Sequence, residues 1–399
     1  MRVLMVFGVA ALLLACSSAK DYSSAARLTD IETRLSVKER WVFKTEQLPK
    51  DAHAQMPPAV ANGKVFVANA SGRVDVLDEQ TGKLAWSVEL KDALTGGPGA
   101  GAGLIFVGTR EAEIIALSQQ DGSEQWRSRI SGEMLATPQV AGNLLIVQTI
   151  DGKLSALDVK TGKRLWDHGR DIPPLTLRGT SIPLVIGEHV IAGFADGKLV
   201  SLALKTGELQ WEATIAVPVG RTDLERLVDI DGILYEQKGV VYVSSFQGRI
   251  AAVDVNSGNI LWAREMSSYV GVAASHNQVY VVDAEGLVWA LDGHSGATLW
   301  RQDNLKGREV SSPVVIDDAL VVGDYDGFVH WLSTSDGQFI ARQDLSDIWA
   351  RHYLIWGEEY GITLPRRSVT AAPILVGNAI YLRDNAGALV ALQWQPVTN

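Results

Sequence analysis

LLIVQTIDGKLSALDVKTGKRLW, residues Leu144 to Trp166, holds two apolar runs that alternate with period two, joined by a tight turn at Asp151-Gly152. Alternation of this kind puts every second side chain on one face, the pattern of a half-buried strand, and an Asp-Gly pair between two such runs is a hairpin turn. A second turn glycine, Gly162, stands four residues before Trp166, and Gly152 stands fourteen before it. The same offsets return along the chain. Trp86, Trp126, Trp166, Trp211, Trp262 and Trp300 follow Gly82, Gly122, Gly162, Gly207, Gly258 and Gly296 by four residues, and Ala341 takes the tryptophan's place after Gly337. Fourteen before these positions stand Gly72, Gly152, Gly197, Gly248, Gly286 and Gly327, with Ala112 as the substitute.

Each repeat reads as a four-stranded antiparallel unit whose turns need residues tolerant of positive φ, with the tryptophan as a packing wedge. A period of 38 to 51 residues with four short strands predicts propeller blades, because a lone four-stranded sheet cannot bury both faces until neighbours stack on it. The eighth turn glycine is Gly387, and its tryptophan would fall beyond the last residue, Asn399. Upstream of the first repeat, the segment from Arg40 to Lys44 carries Trp41 with no turn before it. The expected fold is therefore all-β: an eight-bladed β-propeller over residues 40–399, closed by an N-terminal strand that completes the last blade and removes the free sheet edges.

A chain of 399 residues has room for two or three domains, but the repeat runs from Trp41 to Trp394 without a linker, which fits one closed domain. Hydrophobic residues make up 47% and there are 38 glycines, as in a turn-rich β protein. The net charge of −10, without a Lys/Arg cluster, repels phosphate backbones and excludes nucleic acid as a partner. Residues 1–15 read as a signal peptide: Arg2, an apolar run from Val3 to Leu14 too short to span a membrane, and a small residue before the single cysteine, Cys16. The ending Leu13-Leu14-Ala15-Cys16 resembles the bacterial lipobox, which implies lipid attachment at Cys16. Ser17 in place of an aspartate implies sorting to the outer membrane. Residues 16–39 are then the lipidated N-terminus and tether, whose polar span reaches at most roughly 80 Å when extended.

Three connections between repeats are long: Asp167 to Pro183, Glu212 to Leu234 and Arg342 to Pro373. Unequal loops on a regular scaffold are where function concentrates. The first two flank one blade and should be neighbours on one face. Leu175 and Leu177, beside Pro173-Pro174, form either a plug on that face or an exposed docking patch; Arg178, Asp229 and Asp231 supply the polar rim that favours docking. In the third connection Trp349, Tyr353, Trp356 and Tyr360 fall at helical spacing, as a lid on the propeller or a contact for client proteins. The Gly-rich connection from Ala93 to Gly103 reads as flexible and lacks the GxGxxG spacing of a phosphate site. The seven histidines show no metal-ligand spacing, no GxSxG elbow or P-loop occurs, and the only cysteine is the anchor. Asp151, Asp196 and Asp326 read as turn residues; Asp78, Asp158, Asp254 and Asp292 are placed to bond turn backbone.

The pattern Ala156-x-Asp158-x-x-Thr161-Gly162-x-x-x-Trp166 resembles the tryptophan-docking, PQQ-like repeat of the pyrroloquinoline quinone dehydrogenases, which are eight-bladed propellers. Those enzymes use a vicinal cysteine pair and a calcium-held quinone. With one cysteine, this chain is expected to hold no cofactor and to be no enzyme. Leu175-Thr176-Leu177-Arg178-Gly179, the run from Glu225 to Asp231 and the run from Val321 to Trp331 resemble the BamB family, outer-membrane protein assembly factors of the β-barrel assembly machinery. The likeness covers essentially the whole mature chain, with the connection from Arg342 to Pro373 as a departure. It implies a non-enzymatic lipoprotein scaffold of the BAM complex, anchored on the periplasmic face of the cell outer membrane. Its loops with Leu175, Leu177, Arg178, Asp229 and Asp231 would bind the POTRA domains of the barrel-inserting subunit BamA, and unfolded outer-membrane proteins are further candidate partners. The rival readings are a polymer-binding or sensory propeller, which needs a polar or aromatic cluster near the axis, and a degenerate quinoprotein.

Overall fold

The alternating runs pair as antiparallel hairpins, and the computed structural model, which describes residues 25–44, 56–353 and 367–396, arranges them as eight four-stranded sheets. Cys16 with its signal peptide, and Trp356 and Tyr360 of the aromatic stripe, lie outside the described residues. Seven sheets run in chain order: blades 1 (59–89), 2 (94–129), 3 (139–169), 4 (184–214), 5 (235–265), 6 (272–302) and 7 (314–344). The eighth joins Ile374–Val376, Ala379–Arg383 and Leu389–Pro396 to the N-terminal strand Leu35–Phe43. Trp41 pairs with Ala391 just as Trp166 pairs with Ala156, each next to a register shift, so the N-terminal strand occupies the outer position of blade 8.

That strand begins at Leu35, inside the stretch expected to be tether. The residues before it are also held. Ala26 N donates to Lys306 O at 2.9 Å, Arg34 N to Ile340 O at 2.8 Å, and the guanidinium groups of Arg308 and Arg342 reach Ala26 O and Thr29 O at 3.2 and 2.7 Å. From Ala26 onward the chain is thus a strap along blades 6 and 7. Residues 26–39 are therefore held against the propeller and are not tether, a correction to the expected boundary at Glu39.

The repeated tryptophan docks on the next blade. Its indole N–H donates to the carbonyl three residues before that blade's outer turn glycine, at 2.7 to 3.3 Å in all seven cases from Trp41 to Trp300. Its ring covers the glycine itself: a Cβ on Gly207 would lie 2.6 Å from Trp166. These glycines sit at φ between 66° and 75°, so both conformation and space require glycine. Blade 8 has no outer turn, because the two ends of the chain meet there. A tryptophan in blade 7 would have nothing to dock on, and Ala341 stands in its place, paired with Trp331 where blade 3 pairs Trp166 with Ala156.

Two local expectations are corrected. At Gln247-Gly248 the positive φ, 47°, falls on Gln247 and not on the glycine. The Gly-rich stretch is a strand, Leu94–Gly101, the inner one of blade 2. Blade 3 approaches it so closely that a Cβ on Gly99 would come within 2.6 Å of the Pro138 carbonyl oxygen. Its glycines therefore make room for a neighbour and do not confer flexibility.

Candidate docking site

The connection 170–183 leads from blade 3 into blade 4, and 215–234 from blade 4 into blade 5, on the face that also carries the turns between second and third strands. Both loops are locked at their bases. Ser181 Oγ accepts the Gly193 N–H at 2.9 Å and donates to Gln148 Oε1 at 3.1 Å, fixing the end of the first loop to blades 4 and 3. The second loop turns on a reciprocal cap, Glu225 N to Thr222 Oγ1 at 3.2 Å and Arg221 N to Glu225 Oε2 at 2.6 Å, then buries Leu227, Val228, Ile230 and Leu234.

The loops meet at Asp229, whose Oδ1 accepts the Leu177 N–H at 3.0 Å while its own carbonyl accepts Phe246 N at 2.9 Å. All five residues expected from the sequence are thus brought together, but not as a rim around two leucines. Asp229 is 1% exposed and braces the first loop from beneath; Asp231 lies against Gly179. Leu175 is 43% exposed and Leu177 half-buried. Of the three polar residues only Arg178 is turned outward, its guanidinium reaching Glu133 at 3.2 Å. The two loops also expose apolar side chains that the sequence reading missed: Ile172, Val217, Val219 and Leu224, the last three 60%, 73% and 64% exposed. Their signal was available in principle, since valine and leucine in a polar connection without alternation have no strand face to bury.

Electrostatics sets the two carboxylates apart. Burial pushes the Asp229 carboxyl up to about 6, against the opposing hydrogen bond from Leu177 N, and its Oδ2 has no partner. Burial and the Asp229 charge beside it push Asp231 up to about 8. A cavity of about 240 Å³ opens between the Thr149–Gly152 turn and the first loop, lined by Ile150, Ile172, Leu177 and Phe194 with Asp231. Among the described residues no three His, Cys, Asp or Glu side chains gather as a metal site requires.

Comparison with known proteins places this arrangement. A family model described as outer membrane protein assembly factor BamB matches residues 70–302 and 278–396. The assembly factor BamB of Pseudomonas aeruginosa is 40% identical over 97% of both chains, and that of Vibrio cholerae 35% identical over 87% of this chain and 91% of its own. The crystal structure of BamB from Moraxella catarrhalis superposes with a TM-score of 0.76 at 26% identity, over 88% of this chain and 100% of that one. A quinohemoprotein alcohol dehydrogenase from Comamonas testosteroni, at 13% identity and a TM-score of 0.67, shares the propeller fold alone. By sequence along nearly its full length and by fold, this chain belongs to the BamB family of outer membrane protein assembly factors.

Proposed function

We propose that the chain acts in outer-membrane protein assembly as a non-enzymatic scaffold of the BAM complex, docking through the loop face of blades 3 to 5 onto the POTRA domains of the barrel-inserting subunit BamA. The observation that carries this is the set of exposed apolar side chains Leu175, Val217, Val219 and Leu224, held on two neighbouring loops that Asp229 braces together. Ordered loops lose little conformational entropy on binding, and an apolar centre with Arg178 at its edge has the composition of a protein interface. Family membership supplies the cellular setting, and the lipobox at Cys16 a lipid anchor on the periplasmic face of the outer membrane.

The test is affinity for BamA, measured by calorimetry, with circular dichroism on each variant. Leu175→Ala with Leu177→Ala removes apolar anchors and Arg178→Glu reverses the rim charge; each change should weaken binding about 5- to 150-fold, roughly 1 to 3 kcal/mol. Pro57→Ala, on a different connection, should bind normally. Full affinity in the folded triple variant places the partner elsewhere and sinks the reading.

A further inference from the structure

Asp231 is a carboxylate facing a cavity with no partner of its own. Its neighbours in the protein are burial and another acid: neither a donor nor a cation reaches it among the described residues. Asp229, behind it, spends Oδ1 on Leu177 N and leaves Oδ2 orphaned in the interior. Of the two cations on the facing loop, Arg170 is held by Asp196 and Glu212, and Arg178 is turned away to Glu133 and is 71% exposed. Two neighbouring acids served only by backbone donors to Asp229 are an unfavourable arrangement for the isolated protein. Such arrangements persist where a ligand completes them.

The cavity in front of Asp231 has the shape and lining for one kind of group. Its walls, Ile150, Ile172, Leu177 and Phe194, are apolar, and its ionisable residues are Asp231 and Arg178. A volume of about 240 Å³ is that of about eight waters in the liquid, enough for one long side chain and too little for a folded element. Lysine and arginine carry an apolar stem and a cationic head, so the stem would lie along the walls while the head meets the acid. We propose that this cavity is a socket for one basic side chain, Arg or Lys, presented by the docking partner and paired with Asp231. The proposal rests on the docking reading above and names the chemistry that the partner brings to it. Because Asp231 is held largely protonated near neutral pH by burial and by Asp229, a cation entering the socket would ionise it and expel the proton to solvent. Exposed Ile172, which lines the cavity, would be covered in the same step.

Calorimetry of the full mature chain with full-length BamA in detergent, at pH 7 in two buffers of different ionisation enthalpy, counts the protons released. The expected result is close to one proton per complex, no release from Asp231→Asn, and binding at least about 30-fold weaker in that variant. Arg178→Gln should bind more weakly yet still release the proton, since the cation comes from the partner. Wild-type binding without proton release, undiminished binding by Asp231→Asn, or loss of release in Arg178→Gln overturns the socket while leaving the docking surface standing. If BamA does not bind at all, the docking reading fails, and the socket is decided by a direct probe. N-acetylarginine amide, titrated while the Asp231 carboxyl carbon is followed by NMR at pH 7, should drive that carboxyl from protonated to ionised; an unchanged signal overturns the proposal.

Discussion

The tryptophan lock works because three demands meet at one glycine. Gly207 must adopt φ 71°, leave room for the Trp166 ring and end the turn that offers Leu204 O to the indole N–H at 3.0 Å. Gly207→Ala meets both a left-handed backbone and a ring at 2.6 Å, and should cost about 2 to 4 kcal/mol in chemical denaturation. Gly63→Ala, where a Cβ meets nothing within 4 Å, meets the left-handed backbone alone and should cost about 1 kcal/mol. Repetition made this lock legible in the sequence, since seven copies of one spacing average out local accident. Asp229 and Asp231 had no such copies. Their burial depends on how one unrepeated loop folds back under another, and a charged residue in a polar connection reads as surface. The structure makes Asp231 a liability at high pH. Its carboxyl titrates near 8 in the folded chain and near 3.9 when unfolded, so between those values the folded state binds the extra proton and stability falls as pH rises. Asp231→Asn should therefore raise the melting temperature most at pH 8 and above, with the gain vanishing as pH falls towards 4. An equal gain at pH 4 and pH 8 would rule out titration as its cause.

At the level of elements, the helix Leu345–Tyr353 solves a problem that the other junctions do not have. Seven junctions are held by a docked tryptophan, but between blades 7 and 8 Ala341 has no turn to meet. The helix buries Leu345, Ile348 and Trp349 there against Trp331, Val369 and Leu382, so two tryptophans fill the seam from a different direction. It is also pinned to the closing strand. His352 Nε2 lies 2.6 Å from Glu39 Oε1, and Arg351 reaches the other oxygen of Glu39 at 3.1 Å. The spacing of Trp349 in the sequence announced a helix; its task was hidden because nothing in the stripe says which strand seam lacks a wedge. The Gly-rich strand of blade 2 was illegible for a related reason: its glycines are explained by Pro138 and Val140 of the next blade, and periodicity within a segment does not report on its neighbour. Trp349→Ala should cost about 3 to 5 kcal/mol by leaving a cavity beside Trp331. His352→Ala, which removes a partly exposed contact with Glu39, should cost no more than about 1 kcal/mol. Comparable losses in urea titrations of the two variants would show that surface pinning, and not the buried wedge, holds the seam.

For the molecule as a whole, closure and attachment are functions of one N-terminal stretch. The strand Leu35–Phe43 pairs along Leu389–Pro396, supplies Trp41 to dock on Gly82 and Glu79 O, and so completes blade 8 and its junction with blade 1 together. The strap before it, from Ala26 to Arg34, is held chiefly by polar contacts. Arg308, 6% exposed, lies between Asp324 and Asp326 at 2.7 and 2.9 Å and donates to Ala26 O; His330, fully buried, shares the same Asp324 oxygen at 3.0 Å. The pairs of Arg308 with Asp324 and Asp326 and of His330 with Asp324 stay in place when the strap leaves, because the strap gives Arg308 only the Ala26 carbonyl. Closure by an N-terminal strand was legible from the sequence by counting, as one outer strand was missing and one tryptophan was spare; the strap was not, since its hold comes from arginines 282 and 313 residues away. Two truncations separate the roles. A chain beginning at Leu35 loses a few hydrogen bonds and the packing of Leu28, and should melt within about 5 °C of the parent. A chain beginning at Thr45 loses a strand, a tryptophan lock and the partner of an exposed edge, and should melt at least about 10 °C lower or associate through that edge. Scanning calorimetry with light scattering on both chains reads the difference, and equal melting of the two would mean that the ring holds without its closing strand.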